Sequence, residues 1–184
     1  MKKMFYPVVF AFCLSMPLAA QTCREVVRDS SGRIVQTVER RQQAGGTVQI
    51  VTRDPSGRII GTGTTRPAAS GSSRTDFRDA SGRLTGTANT QNQSAGTART
   101  TYRDASGRLT GSADTRTSTP STHRTQFRDA SGRLTGTSTT QSSPSGSSSS
   151  THRDASGRLT AKSSANGKCQ PPPKVPLPPP EVKR

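Results

Sequence analysis

From Val26 onward the chain sets a β-forming or aromatic residue ahead of a polar hexapeptide and an aliphatic residue behind it. Val27, Thr52, Phe77, Tyr102, Phe127 and His152 precede Arg-Asp-x-Ser-Gly-Arg; Ile34, Ile59, Leu84, Leu109, Leu134 and Leu159 follow it. The hexapeptide begins at Arg28, Arg53, Arg78, Arg103, Arg128 and Arg153, and every interval is 25 residues. Self-similarity at one fixed period marks a repeat array. Two β-forming segments flanking a turn predict one β-hairpin per copy.

The turn chemistry agrees. Aspartate at the first position of a four-residue turn accepts protons from backbone amides ahead of it, and glycine at the fourth takes positive φ without steric cost. Those roles fall to Asp29 and Gly32, Asp54 and Gly57, Asp79 and Gly82, Asp104 and Gly107, Asp129 and Gly132, and Asp154 and Gly157. The second copy places Pro55 at the second position, where a type I turn needs negative φ. A type I turn followed by a left-handed glycine is a common hairpin loop. It sets Asp79 opposite Arg83 and Arg78 opposite Leu84, and it predicts exposed Asp–Arg ion pairs across each hairpin.

The expected fold is all-β: six 25-residue hairpin repeats in a meander or solenoid-like array, with Ser/Thr/Gly-rich linkers and a disordered proline-rich tail. Residues 1–20 carry two lysines, an apolar run and small residues before Gln21, the order of a secretory signal peptide cut after Ala20. The run is short for a membrane span and is interrupted by Pro7 and Pro17, so no span is expected after cleavage. Residues 21–66 concentrate the Val and Ile residues and read as a two-hairpin β subdomain. Residues 67–161 read as four diluted repeats joined by polar stretches such as 87–96 and 137–150; the threonine-rich segments can continue as strands that pair with neighbouring repeats, and 147–150 reads as a flexible linker. Residues 162–184 hold Cys169 and the proline-rich tail, a polyproline spacer. Stacked repeats bury their aromatic and Leu positions together; the opposing arrangement is a string of separate hairpins.

Composition bounds the core. Hydrophobic residues are 27%, aromatics 4%, and Trp is absent. Beyond residue 20, Leu, Ile, Val and Phe make up about 12%, within the range of disordered chains, so one large core is excluded. Cys23 and Cys169 bracket the repeats. In an oxidising compartment they read as an internal disulfide, with intermolecular pairing as the alternative.

The stretch YRDASGRLTG at 102–111 resembles the YD repeat of Rhs-type proteins, whose core reads Tyr-Asp-x-x-Gly-Arg-Leu. The likeness covers about ten residues of each 25; an Arg separates the aromatic from the Asp, and the period is longer than that family's. It implies extracytoplasmic β-hairpins that coil into shells or bind carbohydrate.

No catalytic constellation is present. The histidines are His123 and His152, the latter standing where other copies have an aromatic residue. No phosphate loop, nucleophile elbow or zinc spacing occurs, and one carboxylate per turn does not make a calcium site. No cofactor and no metal are expected. Arginine remains, at 21 residues against six lysines in a chain of formal charge +16. Arg28 and Arg33, Arg53 and Arg58, Arg78 and Arg83, Arg103 and Arg108, Arg128 and Arg133, and Arg153 and Arg158 flank the six turns. A guanidinium fork matches carboxylate, phosphate or sulfate, and repeated weak contacts add along a polyanion. The expectation is an exported, non-enzymatic protein of the periplasm, envelope or medium that binds lipopolysaccharide, an anionic polysaccharide or peptidoglycan. DNA outside the cytoplasm also fits the charge. The alternatives are a spacer or surface coat without a specific ligand, and an accessory of an Rhs-like toxin or secretion system.

Overall fold

The computed structural model describes residues 22–94 and 96–167. The predicted leader, Cys169 and the proline-rich tail lie outside the described residues. Within them the chain forms twelve strands: β1 (Thr22–Asp29), β2 (Ile34–Gln42), β3 (Val48–Arg53), β4 (Ile59–Pro67), β5 (Ser73–Asp79), β6 (Leu84–Ser94), β7 (Thr97–Asp104), β8 (Leu109–Thr119), β9 (Thr122–Asp129), β10 (Leu134–Ser142), β11 (Ser148–Asp154) and β12 (Leu159–Asn166). The fold is all-β and antiparallel, each repeat contributing one hairpin.

The sheet closes on itself. Each strand pairs with its neighbours in sequence, and β12 pairs with β1 from Arg24↔Asn166 to Asp29↔Ala161. This corrects the open meander or solenoid expected from the sequence. The physical reason is in the register. Glu25 pairs with Val38, and Val38 with Thr52. One hairpin therefore advances the register two residues beyond the 25-residue repeat, and six hairpins accumulate a stagger of twelve. Stagger equal to strand number closes a barrel with strands tilted by about 36°. Closure also pairs the two edges that an open array leaves bare.

The threonine-rich stretches do continue as strands, and the serine run expected as linker is wall as well. Residues 87–94 lie in β6, 137–142 in β10 and 148–150 in β11. Threonine suits an extended backbone, and ladder hydrogen bonds on both sides hold these strands without large apolar side chains. β4 crosses the position of the 66/67 boundary and pairs with both β3 and β5.

Alternate residues point into the barrel. Near the turns, the aromatic positions face inward between small neighbours: Phe77 between Gly63 and Gly86, Tyr102 between Ala88 and Gly111, Phe127 between Ala113 and Gly136. The glycines are needed there. A Cβ on Gly86 or Gly111 would stand 2.5 Å from the carbonyl oxygen of Arg103 or Arg128 on the adjoining strand. One level further from the turns, paired threonines meet across the strands. Their hydroxyl oxygens lie 2.7 Å apart at Thr65–Thr75, 2.8 Å at Thr90–Thr100 and 2.9 Å at Thr115–Thr125, and all six residues are buried. Thr140 and Ser150 repeat the contact at 2.8 Å. Polar residues thus fill an interior too poor in hydrocarbon to be lined otherwise, because each hydroxyl supplies the other's partner. The first two repeats use aliphatics instead, in a buried cluster of Val38, Val48 and Ile50.

The aliphatic residue after each turn does not join the aromatics inside. A β-bulge between Phe77 and Arg78 pairs Leu84 with Arg78, which turns Leu84 to the outer face. The same irregularity recurs in the other hairpins. The outer wall carries polar and charged side chains, such as Arg99, Thr101 and Arg103 on β7 and Ser112, Asp114 and Arg116 on β8.

Candidate anion-binding rim

Every odd-to-even connection lies at one end of the barrel, so closure gathers all six Asp-x-Ser-Gly turns on a single rim. The turns share one geometry. The Asp29 N–H donates to the Arg33 carbonyl at 2.9 Å and the Gly32 N–H to the Asp29 carbonyl at 3.1 Å, with counterparts of 2.9–3.0 Å in the other five. The fourth-position glycines have φ between 82° and 86°. This left-handed region favours glycine.

The aspartates are consumed inside the turns. Asp79 Oδ1 accepts from the Ser81 hydroxyl at 2.7 Å, the Ser81 N–H at 3.0 Å and the Arg83 N–H at 3.0 Å. The Ser81 hydroxyl, joined by these backbone donors, holds the Asp79 carboxyl below the usual aspartate range. Asp29, Asp54, Asp104 and Asp129 are lowered for the same first reason, through Ser31, Ser56, Ser106 and Ser131. The expected Asp–Arg ion pairs do not form: among the described residues no turn aspartate has a cationic nitrogen within 4.0 Å. The carboxylate satisfies backbone amides at its own turn, and the arginines are left to other partners.

Those arginines divide into two sets. Arg28, Arg53, Arg78, Arg103, Arg128 and Arg153 each donate one Nη1 proton to the carbonyl of the turn glycine, at 2.8–3.0 Å. That bond uses one of the five donors of each guanidinium; Arg128 also places its Nε 3.9 Å from Asp114. Arg33, Arg58, Arg83, Arg108, Arg133 and Arg158 are exposed and make no side-chain hydrogen bond or ion pair among the described residues. The rim therefore carries twelve arginines against six aspartates, each of which has one oxygen, Oδ1, engaged within its own turn. Further along the wall arginines do meet acids, as in Arg66–Asp76–Arg74 at 3.0 Å on both sides.

A second polar group lies at the seam where β12 meets β1, and sequence reasoning missed it. Inside the barrel, Arg40 Nη1 donates to Glu25 Oε2 at 2.6 Å, with both side chains largely buried. Burial pulls the Glu25 carboxyl upward most strongly, but the Arg40 charge and hydrogen bonds from Ser163 and Arg40 bring it below its ordinary value. His152 faces the same cluster. Burial pushes its imidazole down, against the pull of Glu25, and its Nδ1 has no hydrogen-bond partner among the described residues. The available signal was departure from the repeat: the counterparts of Glu25 and Arg40 are Thr75, Thr100 and Thr125, and Thr65, Thr90 and Thr115.

Cys23 is buried and disulfide-bonded. Its predicted partner, Cys169, lies outside the described residues. The β1–β12 pairing brings Gly167 against Cys23, where a Cβ on Gly167 would lie 3.5 Å from that of Cys23. Among the described residues no three His, Cys, Asp or Glu side chains gather as a metal site. No family model and no curated protein matches this chain.

Proposed function

We propose that this protein is an exported, non-enzymatic β-barrel whose arginine rim binds an anionic polymer or the anionic surface of a cell envelope. The observation that carries the reading is the gathering of twelve arginines on one rim, six of them with unengaged guanidinium groups. Six equivalent stations one hairpin apart favour a ligand that repeats, because each contact raises the effective concentration for the next. Twelve arginines against six aspartates leave the rim net positive, which speeds the encounter with polyanions. Lipopolysaccharide, acidic polysaccharide and peptidoglycan are the ligand classes, with DNA outside the cytoplasm as a further polyanion.

The test is a binding panel of these polymers across a salt series, with a triple variant Arg83→Gln, Arg108→Gln, Arg133→Gln beside the parent. Among the described residues these side chains are exposed and make no hydrogen bond or ion pair, so the variant is expected to keep its barrel. Affinity is expected to fall steeply with salt and by at least tenfold in the variant. Salt-independent binding, or none at low salt, overturns the proposal.

A further inference from the structure

We propose that the turn rim docks on an anionic lipid surface, its aliphatic ring entering the headgroup layer while the neighbouring guanidinium groups hold lipid phosphates. This rests on the anion-binding reading of the rim and names the surface that fits it.

The argument begins with where hydrocarbon meets water. The exposed large apolar side chains of the described residues are Ile34, Ile59, Ile60 and Leu109, at 39, 37, 45 and 38%. All four stand within three residues of a turn glycine, on this rim. The bulge in each hairpin is what places them there, pairing Ile34 with Arg28, Ile59 with Arg53 and Leu109 with Arg103. All six repeats keep Leu or Ile at this position. The next outward position drifts instead, from Val35 and Ile60 to Thr85, Thr110, Thr135 and Thr160. An aliphatic ring set against arginines and left in water lacks the cover that the rest of the apolar content receives inside the barrel.

The ligand chemistry follows from the pairing. A soluble polyanion engages guanidinium groups and leaves the Leu and Ile side chains without a partner. A lipid surface offers phosphate and hydrocarbon side by side, and interfacial segments seat their apolar groups about 5–10 Å into the headgroup boundary. The turn tips are small enough to enter: the residue after the aspartate is Ala80, Ala105, Ala130 or Ala155 in four copies and Pro55 in another. Each arginine near such a surface contributes about a fivefold gain in partition.

The chain has no Trp, so Leu109→Trp supplies a single reporter at the ring. Full-length proteins are compared, so that residues 1–20 contribute equally to every variant. With phosphatidylglycerol–phosphatidylcholine vesicles, Trp emission is expected to shift to the blue and to be quenched by brominated acyl chains; with pure phosphatidylcholine it is expected to stay unchanged. The triple variant Ile34→Thr, Ile59→Thr, Leu109→Thr is expected to lose at least tenfold in vesicle affinity and to keep its affinity for soluble dextran sulfate. Vesicle affinity unchanged in that variant, or no blue shift, overturns the lipid proposal. Binding of dextran sulfate without vesicle binding overturns it too, yet leaves the anion-binding reading standing. Loss of both ligands in the parent protein removes both readings.

Discussion

Replacing Thr100 by Val tests the idea that hydroxyl pairs, rather than hydrocarbon, order the barrel interior. Thr90 and Thr100 are each 1% exposed and their oxygens lie 2.8 Å apart. Valine keeps the branched shape and removes one oxygen. The Thr90 hydroxyl is then left in a site closed to solvent, which costs about 1–3 kcal/mol beyond the small net worth of the bond itself. For a chain of this length that corresponds to roughly 2–4 °C in Tm per kcal/mol. The double variant Thr90→Val, Thr100→Val removes donor and acceptor together and is expected to lie close to the parent or above it. Thr101→Val, on the outer face of the same strand, is expected to move stability by less than about 0.5 kcal/mol. Urea unfolding followed by far-UV circular dichroism measures these three beside Thr90→Val alone and the parent. If the double variant loses as much as the two single variants combined, the hydroxyls are not satisfying each other and the account of the interior fails. A cost below about 0.5 kcal/mol for Thr100→Val alone, within the range of surface changes, refutes it equally.

Four further outcomes follow from the same structure. Gly111→Ala drives a Cβ to 2.5 Å from the Arg128 carbonyl oxygen and is expected to destabilise by about 1–3 kcal/mol in urea unfolding. Arg40→Ala strands the buried Glu25 charge and is expected to cost about 3–5 kcal/mol, whereas Glu25→Ile with Arg40→Leu stays close to the parent. The depressed folded pKa of His152 means that the unfolded chain takes the proton first, so its contribution to stability is present above about pH 6.5 and lost as pH falls through the folded value; His152→Phe is expected to flatten that slope in thermal melts between about pH 5 and 7. The lowered turn aspartates contribute stability above about pH 3.9 that is lost as pH falls through their folded values, and Ser81→Ala moves the Asp79 titration upward in carbon-detected NMR.

The antiparallel hairpins were legible because their instructions are local. Asp-x-Ser-Gly specifies the reversal within four residues, and Pro55 states the backbone angle outright. Closure was not legible. It depends on how far β2 slides past β3, or β4 past β5, and no residue in the far-end connections spells out that offset. The serine run misled for a related reason. Composition averages a strand's two faces, so 147–150 reads as linker although residues 148–150 are paired with β10 and β12. At the rim, the arginines stood out by their recurrence. The turn's own register gave the Arg78–Leu84 pairing that is found, but not the bulge beside it, which leaves Leu84 outside although Gly86, two residues on, faces Phe77. The Glu25–Arg40 contact was hidden by sequence distance, and only comparison between copies isolates it.

The stagger carried by each hairpin has an evolutionary consequence. Duplicating one unit adds two strands and two residues of offset at once, so their ratio is preserved and the ring still shuts at a larger girth. Unequal recombination within such a gene yields a discrete series of diameters without the invention of a single new loop. Six units is then one size on a ladder, and the rungs above and below it are reachable by copy number alone.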